Sequence, residues 1–116
     1  MILCVVDDLM FSTKISTTAK AVQAELAFER TPDKVLSRIR QDRPSLVIFD
    51  LNSARLRPIE LIAAIKADPA VADVRTLGYV SHVQADLIAQ ARAAGIGEVL
   101  ARSAFSEGLP DILKSA

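Results

Sequence analysis

Leu46-Val47-Ile48-Phe49-Asp50 is an unbroken apolar run closed by an acid. A strand with one face in water alternates polar and apolar residues. A run with no polar break suits a strand covered on both faces, as in a parallel sheet flanked by helices. The pattern occurs again at Ile2-Leu3-Cys4-Val5-Val6, closed by Asp7 and Asp8. Between the two runs, Phe11, Ile15, Ala19, Val22 and Leu26 recur at helical spacing. Ser12, Thr13, Lys14, Thr17, Thr18 and Lys20 fill the opposite side. Leu26 to Glu29 reads as a weak second strand with Phe28 its best core residue. Thr31-Pro32-Asp33 opens a second helix: Thr31 can accept from the first turn, Pro32 suits the first helical position, and Asp33 complements the dipole. Val35, Leu36 and Ile39 form its buried stripe, and Pro44 lies beyond its end.

The alternation continues downstream of Asp50. Asn52-Ser53-Ala54-Arg55-Leu56-Arg57 is the loop expected to carry function. A helix runs from Pro58 with Ile59, Ile62 and Ile65 inward, ending before Pro69. Val74 to Val80 is a fourth strand. Val83 to Ala94 is a helix with Leu87, Ile88 and Ala91 as its stripe, closed by Gly95 in the left-handed position. Glu98-Val99-Leu100 is a fifth strand. A last helix carries Leu109, Ile112 and Leu113, and Gly108 and Pro110 are expected to shorten it. Five strand–helix repeats with right-handed crossovers build a doubly wound (βα)5 parallel sheet, for which the common strand order is 2-1-3-4-5. Residues 1–116 read as one domain.

Composition narrows the function. The 116 residues are 51% hydrophobic and 24% charged, enough apolar material for one core and too much for a disordered chain. One cysteine excludes a disulfide framework and a cysteine-based zinc site. No apolar run approaches the ~20 residues of a spanning helix, and Asp7 and Asp8 cut off the apolar start too early for a signal peptide. A cytoplasmic protein is expected. With 14 basic and 14 acidic residues and 4% aromatics, neither an attractive field nor a stacking platform for nucleic acid is expected.

Ligands in open parallel sheets bind beyond the carboxyl ends of the strands where the strand order reverses. Here that point lies between strands 1 and 3, which end in Asp7-Asp8 and in Asp50. Three converging carboxylates repel unless neutralised, and a hard divalent cation such as Mg²⁺ is a natural partner. The backbone carbonyl of Asn52 adds a further oxygen. A carboxylate there can act as a nucleophile towards phosphorus, giving an aspartyl phosphate. Ser81, after strand 4, offers a hydroxyl, and Arg102, after strand 5, offers charge. Plainer roles stand beside these. Asp8 suits a helix cap and Asp7 a solvated position. Ser81 with Gln84 fits a capping box. His82 reads as an exposed loop residue. Cys4 reads as inert core. Arg38, Arg40 and Arg43 read as a solvated helix end. Arg55 and Arg57 read as solvated, yet close enough to fold over the acids.

On these residues the chain resembles the receiver domain of bacterial two-component response regulators over nearly its whole length. The matching pieces are Val5-Val6-Asp7-Asp8, Leu46-Val47-Ile48-Phe49-Asp50-Leu51-Asn52, Val80-Ser81, Ala93-Ala94-Gly95 and Arg102-Ser103-Ala104-Phe105. The resemblance implies a flavodoxin-like fold. It implies Mg²⁺ held by Asp7, Asp8, Asp50 and the main chain of Asn52, with Asp50 as phospho-acceptor and Ser81 binding a phosphoryl oxygen. Arg102-Ser103 stands where the family has Lys-Pro, Ser53-Ala54 where it has Met-Pro, and Pro58 where it has Gly. Val99 takes the place of an aromatic switch residue, and Leu9-Met10-Phe11-Ser12 is longer than the family's equivalent. The changes fall on residues that couple phosphorylation to shape.

The expected function is a receiver-like module in a phosphorelay, fed by a histidine kinase or a small phosphodonor. The alternative is a phosphorylation-independent pseudo-receiver that docks to another protein. No enzyme activity is expected beyond self-phosphorylation and dephosphorylation at Asp50. A flavodoxin-like or phosphatase-like enzyme is disfavoured. The acidic pair repels a flavin phosphate, and an aspartate phosphatase wants two acids separated by one residue. The chain ends soon after the last helix, so output is expected through a separate partner, with the protein a monomer or weak homodimer.

Overall fold

The computed structural model describes residues 1–81 and 84–116. Expectations for His82 and for the helix start at Val83 lie outside them. The elements alternate as the hydrophobic pattern requires: β1 (Ile2–Val5), α1 (Leu9–Ala21), β2 (Leu26–Phe28), α2 (Pro32–Asp42), β3 (Leu46–Asp50), a 3-10 turn (Ala54–Leu56), α3 (Pro58–Ala67), β4 (Arg75–Val80), α4 (Ala85–Ala94), β5 (Glu98–Ala101) and α5 (Arg102–Ser115). All neighbouring strands pair in parallel, in the order β2-β1-β3-β4-β5. This is the flavodoxin-like doubly wound sheet.

The uninterrupted apolar runs serve two cores at once, because successive side chains point to opposite faces. Leu3 and Val5 of β1 and Val47 and Phe49 of β3 face α2, α3 and α4, where Val35, Ile39, Ile62, Ile65 and Ala91 meet them. Ile2 and Cys4 of β1 and Leu46 and Ile48 of β3 face α1 and α5, where Phe11, Ile15, Phe105, Leu109 and Leu113 meet them. Burial pushes the Cys4 thiol up to about 12, so it stays protonated in the core. No helix among the described residues is long and apolar enough to cross a membrane.

Several local expectations change. Helix α1 begins at Leu9, whose side chain and that of Met10 stay in solvent at 76% and 82% exposure. Ser12, expected on the polar side of α1, is buried. Thr31 stands at the α2 N-cap with Pro32 following it, but its side chain makes no capping bond; its own N–H donates to Glu29 Oε2 at 3.1 Å. The arginines of α2 are not simply solvated. Arg38 pairs with Glu29 and Asp42, and Arg40 reaches Asp68. Strand β5 extends through Ala101, and α5 follows at Arg102 with no intervening loop. Neither Gly108 nor Pro110 shortens α5. Pro110 lies inside it, at an intrinsic cost of roughly 3 kcal/mol, which burial of Phe105, Leu109 and Leu113 offsets.

Phe11, Tyr79 and Phe105 stack between α1, β4 and α5. Ring centroids are 4.8 Å apart for Phe11–Tyr79 and 4.7 Å for Tyr79–Phe105. Phe105 is fully buried, so Phe105→Ala leaves a cavity under two other rings. The expected loss of unfolding free energy is about 3–5 kcal/mol, read from the denaturant midpoint. A loss under ~1 kcal/mol would show that the stack does not hold α5 to the sheet.

Candidate functional site

Parallel pairing of β1 with β3, in register Val5 with Phe49, brings the segments after these strands to one edge of the sheet. Asp50 is the last residue of β3, and Asp7 and Asp8 follow β1. The three acids share an electrostatic neighbourhood but hold different partners.

Asp8 caps α1. Its Oδ1 accepts from Phe11 N at 3.1 Å, and its Oδ2 accepts from Arg102 Nη2 at 3.0 Å. The Phe11 N–H, joined by the Arg102 charge, holds its carboxyl below the usual carboxylate range. Asp7 is gripped from the loop after β3. Its Oδ1 accepts from Ser53 Oγ at 3.1 Å and its Oδ2 from Arg55 Nε at 2.8 Å. Arg55 also donates through Nη2 to the Arg30 carbonyl at 2.8 Å, beyond the end of β2. Asp50 is half-buried, and its Oδ1 accepts from Asn52 N at 2.9 Å. Burial raises its pKa, the Asn52 N–H opposes the shift, and the charges of Asp7 and Asp8 add to it.

Ser81, Asn52 and Gln84 form a separate cluster. The Asn52 side-chain carbonyl accepts from Ser81 N at 2.7 Å and Ser81 Oγ at 3.1 Å. Its amide donates to the Gln84 side chain. The capping box expected of Ser81 and Gln84 does not form. Gln84 itself is the N-cap of α4, without a side-chain capping bond, and both residues are drawn to Asn52. Ser81 therefore donates to Asn52, and no bond joins it to Asp50. Arg102, the first residue of α5, lies with Cζ 4.3 Å from the Phe11 ring centroid, directed at Asp8 and stacked on α1. Arg57 pairs with Asp33 and does not reach the acids. Ser53 lies in the loop expected to carry function, but its bond to Asp7 and the role of Phe11 as a platform for Arg102 were not legible in the sequence, because both need contacts between distant elements.

The oxygen donors of Asp7, Asp8, Asp50 and Asn52 suit a hard cation in kind. Each oxygen of the acidic pair already accepts from a hydroxyl, an amide or a guanidinium. Among the described residues no three His, Cys, Asp or Glu side chains form a group that could hold a metal ion. Arg55 and Arg102 supply neutralising charge to Asp7 and Asp8.

The strand order and the helix layers are those of the fold that solved receiver domains of response regulators share. The phosphorylated cyanobacterial phytochrome response regulator RcpA superposes with a TM-score of 0.81 at 23% identity, over 98% of this chain and 88% of its own. The chemotaxis response regulator CheY4 of Vibrio cholerae gives 0.82 at 18% identity, over 98% and 95%. The Mn²⁺-bound form of response regulator Rcp1 gives 0.78 at 19% identity, over 98% and 88%. These likenesses establish the fold. No protein-family model and no curated protein matches the sequence.

The raised pKa of Asp50 has a consequence for stability. A carboxyl whose pKa is higher in the fold than in the unfolded chain favours folding below the unfolded pKa. That contribution is lost as pH rises through the folded value. Asp50→Asn keeps an acceptor for Asn52 N and removes the charge. The variant is expected to melt above the wild type at pH 7, with the gap closing as pH falls through the carboxylate range. Equal melting temperatures at pH 7 would contradict the burial of this charge.

Proposed function

We propose that the protein is a receiver-type signalling module with Asp50 as its phospho-acceptor. The observation that carries this reading is the position and freedom of Asp50. It ends the central strand β3 at the switch point of the sheet. Among the described residues it alone of the three acids has no salt-bridge partner. One of its oxygens would attack phosphorus in a phosphohistidine or a small acyl phosphate. The donor's P–N or P–O bond breaks as the new P–O bond forms, the leaving group takes up its proton from solvent or departs as an anion, and an acyl phosphate remains on Asp50.

The partners under this reading are a histidine kinase or small phosphodonor on the input side and a protein on the output side, all in the cytoplasm. Catalysis is limited to gaining and losing the phosphoryl group, and nucleic acid is not contacted directly. A second reading is a docking module that works without phosphorylation. It is favoured by the commitment of Ser81 to Asn52 and of Arg102 to Asp8 and Phe11, since neither is held towards Asp50.

Beryllofluoride in the presence of Mg²⁺ separates the two. The phospho-acceptor reading expects backbone amide shifts around Asp50 and Ser81, abolished by Asp50→Asn. Unchanged spectra at saturating Mg²⁺ and beryllofluoride would leave the docking module as the working description.

A further inference from the structure

We propose that Arg55 is a resident counter-ion of the acidic pair and competes with divalent cations for Asp7. The proposal deepens the reading of this edge as a receiver site but does not depend on transfer to Asp50.

Asp7, Asp8 and Asp50 sit at one edge, and the charges of Asp7 and Asp8 oppose ionisation of Asp50. Two guanidinium groups answer this, by different routes. Arg102 sits on α5, packed over Phe11 and bonded to Asp8. Arg55 comes from the turn after β3 and spans two strand ends, bonded to Asp7 through Nε and to the Arg30 carbonyl through Nη2. Ser53 Oγ takes the remaining oxygen of Asp7. Both oxygens of that carboxylate, which a cation would need, are thus filled by groups from one short loop.

The two arginines differ in how readily they can leave. Arg102 is held by an aromatic face and by its place in the first turn of a helix. The Arg55 side chain is 58% exposed. An exposed ion pair typically contributes less than ~1 kcal/mol, so a strongly attracted ligand can displace it. Arg55 therefore sets cation affinity more than it sets stability. Its guanidinium opposes an incoming cation by like charge and by occupying Asp7 Oδ2. The ligand class that would displace it is a divalent cation with oxygen preference.

The test is Mn²⁺ binding to the full chain, followed by paramagnetic broadening of amides near Asp7 and by the free Mn²⁺ signal, with no phosphodonor present. Arg55→Ala and Arg55→Gln are expected to tighten Mn²⁺ binding by about tenfold or more, since each removes a positive charge from contact distance of Asp7. Arg55→Lys, which keeps the charge, is expected to stay near wild type. The gain should shrink as ionic strength rises, because exposed charges are screened. Absence of tightening in both neutral variants, whether all forms bind Mn²⁺ equally or none binds, overturns the proposal. So does equal tightening by Arg55→Lys. The beryllofluoride experiment reads Asp50 separately, so failure of the phospho-acceptor reading leaves the Mn²⁺ comparison intact, and the reverse.

Discussion

Everything in the molecule depends on the parallel pairing of β1 with β3 inside two covering layers of helix. Four consecutive pairs, Ile2 with Leu46 through Val5 with Phe49, are buried on both faces. At roughly 1.5–3 kcal/mol for each fully buried large apolar side chain, these residues outweigh anything the exposed acidic edge can contribute. The edge is a by-product of that pairing. Both strands stop where acids begin, so the segments that follow emerge together. Their mutual repulsion is tolerated because the core beneath them is so strongly held.

The electrostatics of the edge then follow from which cations the fold delivers. In a parallel sheet every strand end is followed by a connection over the same rim. The connection after β3 delivers Arg55, and the abrupt β5–α5 junction delivers Arg102. A charge pair at ~4 Å is worth about 1 kcal/mol in water and about 4 kcal/mol near a protein surface, and both side chains remain partly solvated. The arginines therefore compensate charge without locking the fold. Asp50 keeps a raised pKa because it is half-buried, a shift that the Asn52 N–H and the Arg102 charge oppose only in part.

Much of this was legible in the residues. The strand order, the two-sided burial of the long strands, the cap at Asp8 and the left-handed Gly95, with φ of 104°, all follow from local patterns. The apolar stripe legible from Phe11 is the buried face of α1, and the helix opens earlier, on Leu9 and Met10, which are apolar yet exposed. The length of α5 was underestimated because Gly108 and Pro110 are local breakers, whereas the buried stripe that overrides them is tertiary. Ser81 was read through its nearness to Gln84. Its actual partner, Asn52, is 29 positions away.

From the order of residues alone came the alternation of strands and helices and the set of acids at one rim. Both are encoded in short-range periodicity and in where apolar runs stop. Which group neutralises which acid came only with the folded chain. Arg55 meets Asp7 across 48 positions and Arg102 meets Asp8 across 94. Contacts of that span exist only after every crossover has been laid down, and no local pattern can choose among arginines that are all near the rim.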